Sequence, residues 1–299
     1  MRPGGPFAVV GIAGVGLIGA SIGLRVRQLG SRAIGWDSAG EHLTWALEGG
    51  AIDARVESLR ALADAADLLV LAAPPDATLS HLTDLGARAY RARLVIDVGS
   101  VKTPVARAAA NVRRFVGTHP IAGSERSGPG AARADLFVGR TWTYDAAAAP
   151  ENAARASEFI EAMGATPWPI ANEEHDRIVA ATSHLPQLLS VALGARLAGC
   201  LDDRNATVLC GTGVRSMLRL AGSSWRLWRP ILAQNATPVA QEVRRLVDIL
   251  TGVAADLDAG RLERIGDRFA DAAAAIARLG DTEAIGEGVE SGKAASNER

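Results

Sequence analysis

The chain has 299 residues, and 48% of them are apolar, so it can bury one large hydrophobic core or two moderate ones. Its formal net charge of −1 argues against the concentrated basic surface that nucleic-acid binding requires. Its two cysteines, Cys200 and Cys210, are too few for a disulfide framework and predict a reduced, cytoplasmic protein. No apolar run reaches the ~18 residues typical of a transmembrane helix, so we expect no membrane span.

Buried strands alternate with helices through the first part of the chain. The pattern predicts strands at Phe7–Ile12, Ala33–Trp36, Asp67–Ala73, Leu94–Val98, Phe115–Thr118 and Thr141–Tyr144. It predicts helices between them at Ala20–Leu29, Ala39–Glu48, Thr78–Ala89, Pro104–Asn111 and Glu151–Met163. This βαβ alternation indicates a Rossmann-type, doubly wound and mostly parallel sheet over residues 1–170.

The pattern changes near Ile170, and beyond it we predict no strand. Glu173–Leu201 has the periodicity of one long helix, which Pro186 should kink. Gln234–Ala255 and Arg261–Leu279 follow as amphipathic helices. We therefore predict an all-helical domain over residues 171–280, followed by a tail over residues 281–299 whose polar, glycine-rich composition indicates disorder.

A glycine-rich turn follows the first predicted strand. Gly14 permits a tight turn, Gly16 lets the backbone approach a pyrophosphate, and Gly19 lets the helix pack closely on the strand. Asp37, at the end of the second strand, can accept hydrogen bonds from both ribose hydroxyls. This favours NAD over NADP, because no arginine follows at once. We predict a cofactor site formed by Gly14, Val15, Gly16, Leu17, Ile18, Gly19, Asp37, Ala73, Pro74 and Ser100.

The segment Asp97–Lys102 lies at the carboxyl end of a predicted strand, where open α/β sheets bind ligands. In one interpretation Ser100 contacts the nicotinamide, the substrate or His119. In the other, its hydroxyl caps a helix that begins at Val101. We interpret Lys102 as a structural or surface residue.

His119 directly follows the next predicted strand and should point into the same crevice. Its neutral ring can accept a proton near neutral pH, which predicts an acid–base role. The alternative is a core histidine whose ring is satisfied by a backbone carbonyl. The neighbouring Pro120, Gly123 and Glu125 favour the functional interpretation.

Polar residues of the helical half predict ligand recognition rather than a metal site. His175 and His184 lack the spacing of a zinc site, and no thiol cluster accompanies them, so we expect no metal. Gln187 lies three residues after His184, on the same predicted helix face. Arg215 and Arg219 would repel each other on a helix unless an anionic ligand bound them; the alternative is a solvated helix face.

These segments, in this order, resemble the prephenate/arogenate dehydrogenase family of tyrosine biosynthesis. The matching segments are Gly14–Ser21, Asp97–Lys102, Thr118–Gly128, Asp135–Phe137, Glu174–Asp176, Ser183–Pro186 and Gly213–Trp228. The resemblance implies a Rossmann domain followed by a helical domain that forms a homodimer. It also implies NAD-dependent oxidative decarboxylation of a small-molecule cyclohexadienyl carboxylate.

The resemblance also implies a role for each matching side chain. His119 would polarise the 4-hydroxyl of the substrate, Ser100 would hydrogen-bond this centre, and Arg219 would hold a substrate carboxylate. The resemblance implies that Glu125 and Asp176 are acids that gate the mouth of the site by pairing with Arg219. It also implies that Trp228 forms a wall of the substrate site and that His184 and Gln187 lie in the substrate pocket.

Two positions depart from the family pattern. Gln187 stands where a second histidine is common, and Ser216 where an aspartate is usual. Both fall in the expected substrate pocket, so prephenate, arogenate and a 4-amino analogue all stay open, and we favour prephenate. The other classes weighed are a non-catalytic NAD-binding protein and another two-domain dehydrogenase of hydroxy acids. We expect no dedicated effector domain.

Overall fold

The computed structural model describes residues 5–123, 128–200, 202 and 204–294, with side chains as far as Leu279. Six parallel strands form the first sheet in the order β3-β2-β1-β4-β5-β6. They are β1 Val9–Ala13, β2 Arg32–Trp36, β3 Ala54–Arg55, β4 Leu68–Leu71, β5 Leu94–Asp97 and β6 Phe115–Val116. The order reverses between β1 and β4, which creates the crevice where this sheet type binds ligands. The predicted Rossmann-type sheet is therefore confirmed.

Helices join these strands and bury both faces of the sheet. They are α1 Leu17–Gln28, α2 Gly40–Glu48, α3 Leu59–Ala65, α4 Pro75–Gly86, α5 Thr103–Ala108 and, farther along, α6 Pro150–Ala162. Side chains of β4 alternate between two hydrophobic clusters: Leu68 and Val70 enter one, and Leu69 and Leu71 enter the other. Burial on both faces explains why β4 is a continuous apolar run.

A second, three-stranded sheet was not predicted from the sequence. It contains β7 Thr118–Pro120, β8 Thr141–Asp145 and β9 Thr166–Ile170, with β7 antiparallel and β9 parallel to β8. The predicted strand at Phe115–Thr118 is thus wrong as one strand. Its first half joins the parallel sheet, and its second half leaves that sheet after Gly117 to pair with β8. Pro167 and Pro169 hid β9, because proline lacks a ladder donor and fits only edge strands such as this one.

The helical half begins at Asn172, and no strand occurs beyond that residue within the described part of the chain. Its helices are α7 Asn172–Val179, α8 Leu185–Ala198, α9 Arg204–Leu209, α10 Thr212–Met217, α11 Trp225–Gln234, α12 Ala236–Asp258 and α13 Leu262–Ala294. The break predicted at Pro186 takes the form of a π-helical turn at Ala180–His184 between α7 and α8. Proline cannot donate to the preceding turn, and a π turn accommodates that missing bond.

The chain forms two compact units, residues 1–239 and 240–299. Within the second unit, the Asp256 carboxylate lies 2.9 Å from Arg261 and within 4.0 Å of Arg264 and Arg268, which ties α12 to α13. The backbone of α13 continues to Ala294, into the segment whose composition predicted disorder.

One helical stretch, Asn172–Ala198, is long and apolar enough to cross a membrane by length and composition alone. Its first half, however, carries the buried polar side chains of His175, Asp176 and His184. Asp176 accepts hydrogen bonds from the backbone of α5, which anchors this stretch to the Rossmann part of the fold. We therefore interpret it as a folded segment of the helical half.

Candidate active site

The three fingerprint glycines have the geometry that their predicted roles require. Gly14 has φ +94°, a conformation that glycine adopts without strain, and it donates a 2.8 Å hydrogen bond to the carbonyl of Trp36. A Cβ on Gly19 would lie 1.9 Å from the carbonyl oxygen of Gly14, so helix and turn pack too closely for any side chain. A Cβ on Gly16 would meet no atom within 4 Å, which leaves open space above the turn.

The open space at Gly16 adjoins the start of α1. Gly16 is the N-cap of α1 and supplies no side-chain cap, so the first N–H groups of the helix, from Leu17 to Gly19, remain available to a ligand. Across the switch point, Ala73 and Pro74 lead into α4, with the Ala73 carbonyl accepting a hydrogen bond from Thr78. This arrangement fits a pyrophosphate placed between the two turns.

Asp37 is held by the glycine turn. Its carboxylate accepts hydrogen bonds from the backbone N–H groups of Val15, at 2.9 Å, and Ala39, at 2.8 Å. His42 Nδ1 lies 3.5 Å from the same carboxylate. The prediction that Val15 contacts the cofactor needs correction: its side chain is buried and its N–H is donated to Asp37, so Val15 supports Asp37 instead.

A buried ion pair organises the segment after β5. The Lys102 ammonium donates to the Asp97 carboxylate and also to the carbonyl of Thr118, at 2.5 Å. Burial lowers the pKa of Lys102, while Asp97 acts to raise it. The other Asp97 oxygen accepts from the Thr118 N–H at 3.1 Å. Lys102 is therefore structural, and it joins β5 to the peptide that carries His119.

Asp176 caps helix α5 from a distant part of the chain. Its two carboxylate oxygens accept hydrogen bonds from the backbone N–H groups of Lys102 and Thr103, both at 2.7 Å. Burial acts to raise the pKa of Asp176, but the hydrogen bonds from His175, Thr103 and Lys102 outweigh it and hold the pKa below its usual value. Asp176 is therefore a buried, ionised helix cap.

The ring of His119 is joined to this cap through His175. His119 Nδ1 lies 2.9 Å from His175 Nε2, and His175 Nδ1 lies 2.9 Å from an Asp176 carboxylate oxygen. The two rings meet edge to face, with centroids 5.2 Å apart. His175 is almost fully buried, whereas His119 is half-buried. The three side chains form one line of hydrogen bonds that ends at the Nε2 atom of His119.

His119 is kept neutral by its surroundings. Burial lowers the pKa of the His119 ring well below 6.5, and the electrostatic influence of the nearby His175, Lys102 and His184 side chains acts in the same direction. The alternative of a core histidine bonded to a backbone carbonyl is wrong for the ring, because the ring partner is His175. A neutral ring with one nitrogen engaged has its other nitrogen available for proton transfer.

His184 contacts two other side chains of the helical half, Asn235 and Trp228. His184 Nδ1 lies 3.2 Å from the Asn235 side-chain amide, which also donates to the Asp176 carbonyl at 2.8 Å. The rings of His184 and Trp228 meet edge to face at 5.8 Å. Burial lowers the pKa of His184 to about 4. Through His184 and Asn235, these contacts connect Trp228, the predicted wall residue, to Asp176.

Arg219 begins a short 3₁₀ turn at Arg219–Gly222. The Gln187 amide donates to the Leu220 carbonyl in this turn at 2.8 Å, and the Ser190 hydroxyl donates to the Met217 carbonyl at the end of α10 at 2.7 Å. Helix α8 therefore holds the backbone on both sides of Arg219. Arg219 is exposed and, among the described residues, pairs with no acid. The expectation that Arg215 and Arg219 share one helix is wrong, because α10 ends at Met217.

The structure brings some predicted residues together and separates others. Asp176 does not gate the mouth with Arg219, because its carboxylate is buried and engaged by α5 and His175. The Gln187 side-chain amide donates to the Leu220 carbonyl, so this N–H is not available to a ligand. Glu125 lies outside the described residues.

Ser100 is half-buried, and its hydroxyl bonds to no described residue. The alternative that it caps a helix from Val101 is wrong, because α5 begins at Thr103 and its N-cap is Lys102. Within the described part of the chain, the Ser100 hydroxyl is thus free at the carboxyl edge of the sheet.

Three partners were missed from the sequence: His175 as the neighbour of His119, Asn235 as a bridge, and Lys102 as a buried cation. The tripeptide Glu174–Asp176 marked the region, but adjacent helical residues point in different directions, so it did not indicate what each side chain contacts. Among the described residues, no cluster of His, Cys, Asp or Glu has a geometry that could hold a metal.

Two family models match the chain. The nucleotide-binding domain of prephenate dehydrogenase matches residues 22–167, and the prephenate dehydrogenase dimerization domain matches residues 171–270. Together they cover most of the chain and both halves of the fold.

Individual relatives agree with the family models. A probable prephenate dehydrogenase of Streptomyces niveus is 35% identical over 79% of this chain, and the prephenate dehydrogenase of Bacillus subtilis is 32% identical over 75%. The chain spans 65% and 63% of the lengths of these two relatives. The crystal structure of Synechocystis arogenate dehydrogenase is 27% identical, with a TM-score of 0.72 over 85% of this chain and 93% of that one.

Proposed function

The chain belongs to the prephenate dehydrogenase family, and we propose that it catalyses the NAD-dependent oxidative decarboxylation of prephenate to 4-hydroxyphenylpyruvate in tyrosine biosynthesis. The observation that carries this proposal is the neutral ring of His119. Its Nδ1 is engaged by His175, and its Nε2 remains to take a proton from a substrate hydroxyl. Glu125 stays a predicted acid of the substrate site.

The fit of NAD rests on the glycine turn and on Asp37. The space above Gly16 admits a pyrophosphate, and the first N–H groups of α1 suit its charge. The Asp37 carboxylate, fixed by two backbone N–H groups, suits two ribose hydroxyls and repels a 2′-phosphate, so NAD is preferred to NADP. The Ser100 hydroxyl, which bonds to no described residue, serves the nicotinamide end of the site.

The chemistry that bound NAD⁺ supplies is acceptance of hydride from the ring carbon that carries the 4-hydroxyl. His119 Nε2 takes the hydroxyl proton as the carbonyl forms at that carbon. Loss of CO₂ from the opposite ring carbon then sends an electron pair to the new carbonyl oxygen. His119 returns the proton to this oxygen, which completes the phenol and restores the neutral ring. Aromatisation of the ring drives the sequence.

Arg219 is proposed to bind a carboxylate of the substrate. Its guanidinium is exposed and has no acidic partner in the described part of the chain, and the backbone on either side of it is held by Gln187 and Ser190. Guanidinium matches carboxylate geometry through two parallel hydrogen bonds. Trp228 and His184 form the wall beside the proton acceptor.

Arogenate is the second candidate substrate, and the likeness to the Synechocystis arogenate dehydrogenase favours it. Arogenate carries an ammonium where prephenate carries a ketone, so an acidic residue of the protein would have to face the ammonium of the substrate. The Asp176 carboxylate is already engaged by the backbone of α5, so it does not supply this partner, and Glu125 stays the predicted acid for it.

The deciding experiment is NADH formation by the purified protein with NAD⁺, run side by side with prephenate, arogenate and a 4-amino analogue. We expect the highest kcat/KM with prephenate. A preference for arogenate would overturn the substrate assignment, and no turnover with any of the three would overturn the reaction.

Two variants test the assigned roles. His119→Asn should reduce kcat by about 10²–10⁴ while NAD⁺ affinity stays nearly unchanged in calorimetry. Arg219→Ala should mainly raise KM, because it removes anion binding that is present in ground and transition states alike. Arg215→Ala, at an exposed arginine four residues before Arg219, is the matched control. Normal turnover in His119→Asn would contradict the role of His119.

We also propose that the protein is a cytoplasmic homodimer formed through its helical half. Large apolar side chains are exposed along α12 and α13 within the second unit, and such surfaces are typical of interfaces. They are Val247, Ile249, Leu250, Leu257, Leu262, Phe269, Ile276 and Leu279. Light scattering after size exclusion should give twice the chain mass; a monomer at micromolar concentration would contradict this proposal.

A further inference from the structure

We propose that His175 and Asp176 are positioning residues that fix His119 as the tautomer with hydrogen on Nδ1, which leaves Nε2 as the proton acceptor. The inference rests on the proposed function, since it specifies how the catalytic base of that reaction is prepared. Hydrogen bonds join the Asp176 carboxylate to the His119 ring through His175, and the carboxylate sets their direction.

The direction is set at Asp176. An ionised carboxylate can only accept hydrogen bonds, and this one accepts from the backbone N–H groups of Lys102 and Thr103. Its own backbone carbonyl accepts from Asn235 at 2.8 Å. The residue is thus held from three sides, and His175 must donate its Nδ1 hydrogen to the carboxylate.

The next link follows from the chemistry of imidazole. A neutral imidazole carries one hydrogen, so a His175 ring that donates from Nδ1 has a lone pair on Nε2. His119 Nδ1 lies 2.9 Å from that lone pair and must be the donor. A neutral His119 ring that donates from Nδ1 has its own lone pair on Nε2. The buried carboxylate therefore determines, through two rings, which nitrogen of His119 is basic.

The same line of hydrogen bonds stabilises the charged ring during the reaction. When His119 Nε2 takes the substrate proton, the resulting imidazolium donates from Nδ1 to His175, with the Asp176 charge one ring farther on. A carboxylate behind a catalytic histidine acts in this way in serine hydrolases. No proton has to pass along the line, because the proton that His119 gains at Nε2 is the one it returns.

The other titratable groups near His119 do not determine which of its ring nitrogens carries the hydrogen. Lys102 is paired with Asp97, and its ammonium reaches the peptide before His119 rather than the ring. His184 hydrogen-bonds Asn235. Among described residues, His175 is the ring partner of His119.

The direct test is a long-range ¹H–¹⁵N correlation spectrum of the substrate-free full chain labelled with ¹⁵N-histidine, recorded near neutral pH. The signals of His119 are identified by their loss in His119→Asn, among the five histidines of the chain. We expect hydrogen on Nδ1 and none on Nε2. Hydrogen on Nε2 of His119 would overturn the proposal.

Two replacements of His175 separate positioning from packing. His175→Gln keeps an oxygen that can accept from His119 and an amide that can donate to Asp176. His175→Phe keeps the ring volume and loses both hydrogen bonds. We expect His175→Phe to lower kcat by about 10²–10⁴ with little change in KM, and His175→Gln to stay within about tenfold of wild type. Equal kcat in the two variants would overturn the proposal.

The outcomes of this test and of the proposed reaction are distinguishable. The spectrum needs no substrate, so it decides the tautomer even where prephenate is not turned over. If His175→Phe does not fold, the spectra of wild type and His175→Gln still decide. The glutamine variant should keep hydrogen on His119 Nδ1, and its loss there would count against the proposal.

Discussion

The buried ring of His184 should make the fold lose stability in mild acid. Burial lowers the pKa of His184 from 6.5 to about 4, while Asp176 acts against this shift and His175 adds to it. The native ring is therefore neutral across this interval, whereas the ring of the unfolded chain takes up a proton near pH 6.5. The unfolded state binds more protons, so the free energy of unfolding falls as the pH falls from 6.5 towards 4.

The size of this loss follows from the gap between the two pKa values. A gap of about 2.5 pH units corresponds to about 3 kcal/mol, present above pH 6.5 and lost by about pH 4. His184→Asn removes the titrating ring and keeps an oxygen that can accept from Asn235, which lies 3.2 Å from Nδ1 in the wild type. Titrating groups that do not interact with His184 contribute equally to both proteins, so their contributions cancel in the difference.

Urea denaturation at a series of pH values, followed by tryptophan fluorescence, measures this difference. Above pH 6.5 the two proteins should differ by a constant, which reports the lost packing of the ring against Trp228. Between pH 6.5 and 4, the wild type should lose about 3 kcal/mol more than the variant. Parallel curves across this interval would refute the argument that burial keeps the His184 ring neutral.

Three further predictions concern the cofactor turn, the Arg219 turn and the helix cap. Gly16→Ala should weaken NAD⁺ binding in calorimetry and leave thermal stability unchanged. Gly19→Ala should lower thermal stability, because its Cβ would lie 1.9 Å from a backbone oxygen. Equal melting temperatures for the two variants would contradict this prediction. Gln187→Met should raise the KM for prephenate about tenfold in initial-rate kinetics, because the turn carrying Arg219 loses a donor; an unchanged KM would count against it. Asp176→Asn should lower the free energy of unfolding in urea by about 1–2 kcal/mol, because an amide has one accepting oxygen where the carboxylate has two. An unchanged denaturation midpoint would exclude the role of Asp176 as a helix cap.

Features that depend on neighbouring residues were predictable from the sequence. The glycine turn was recognisable because the spacing of Gly14, Gly16 and Gly19 follows from the backbone geometry of one turn and one helix. The buried strands were recognisable because a parallel strand covered on both faces is a continuous apolar run, as in Leu68–Leu71. Strand β9 was missed because two prolines removed that local signal.

The roles of polar side chains in the site were decided by tertiary structure. His119 meets His175 across 56 residues of chain, and Asp176 caps α5 across more than 70. The family resemblance implied that Asp176 lies at the mouth, and the sequence could not correct this because an exposed aspartate and a buried one look the same in a sequence. Which hydrogen bonds a carboxylate accepts depends on the helix that packs against it, so only the fold assigns Asp176 to the cap of α5 and to the ring behind His119.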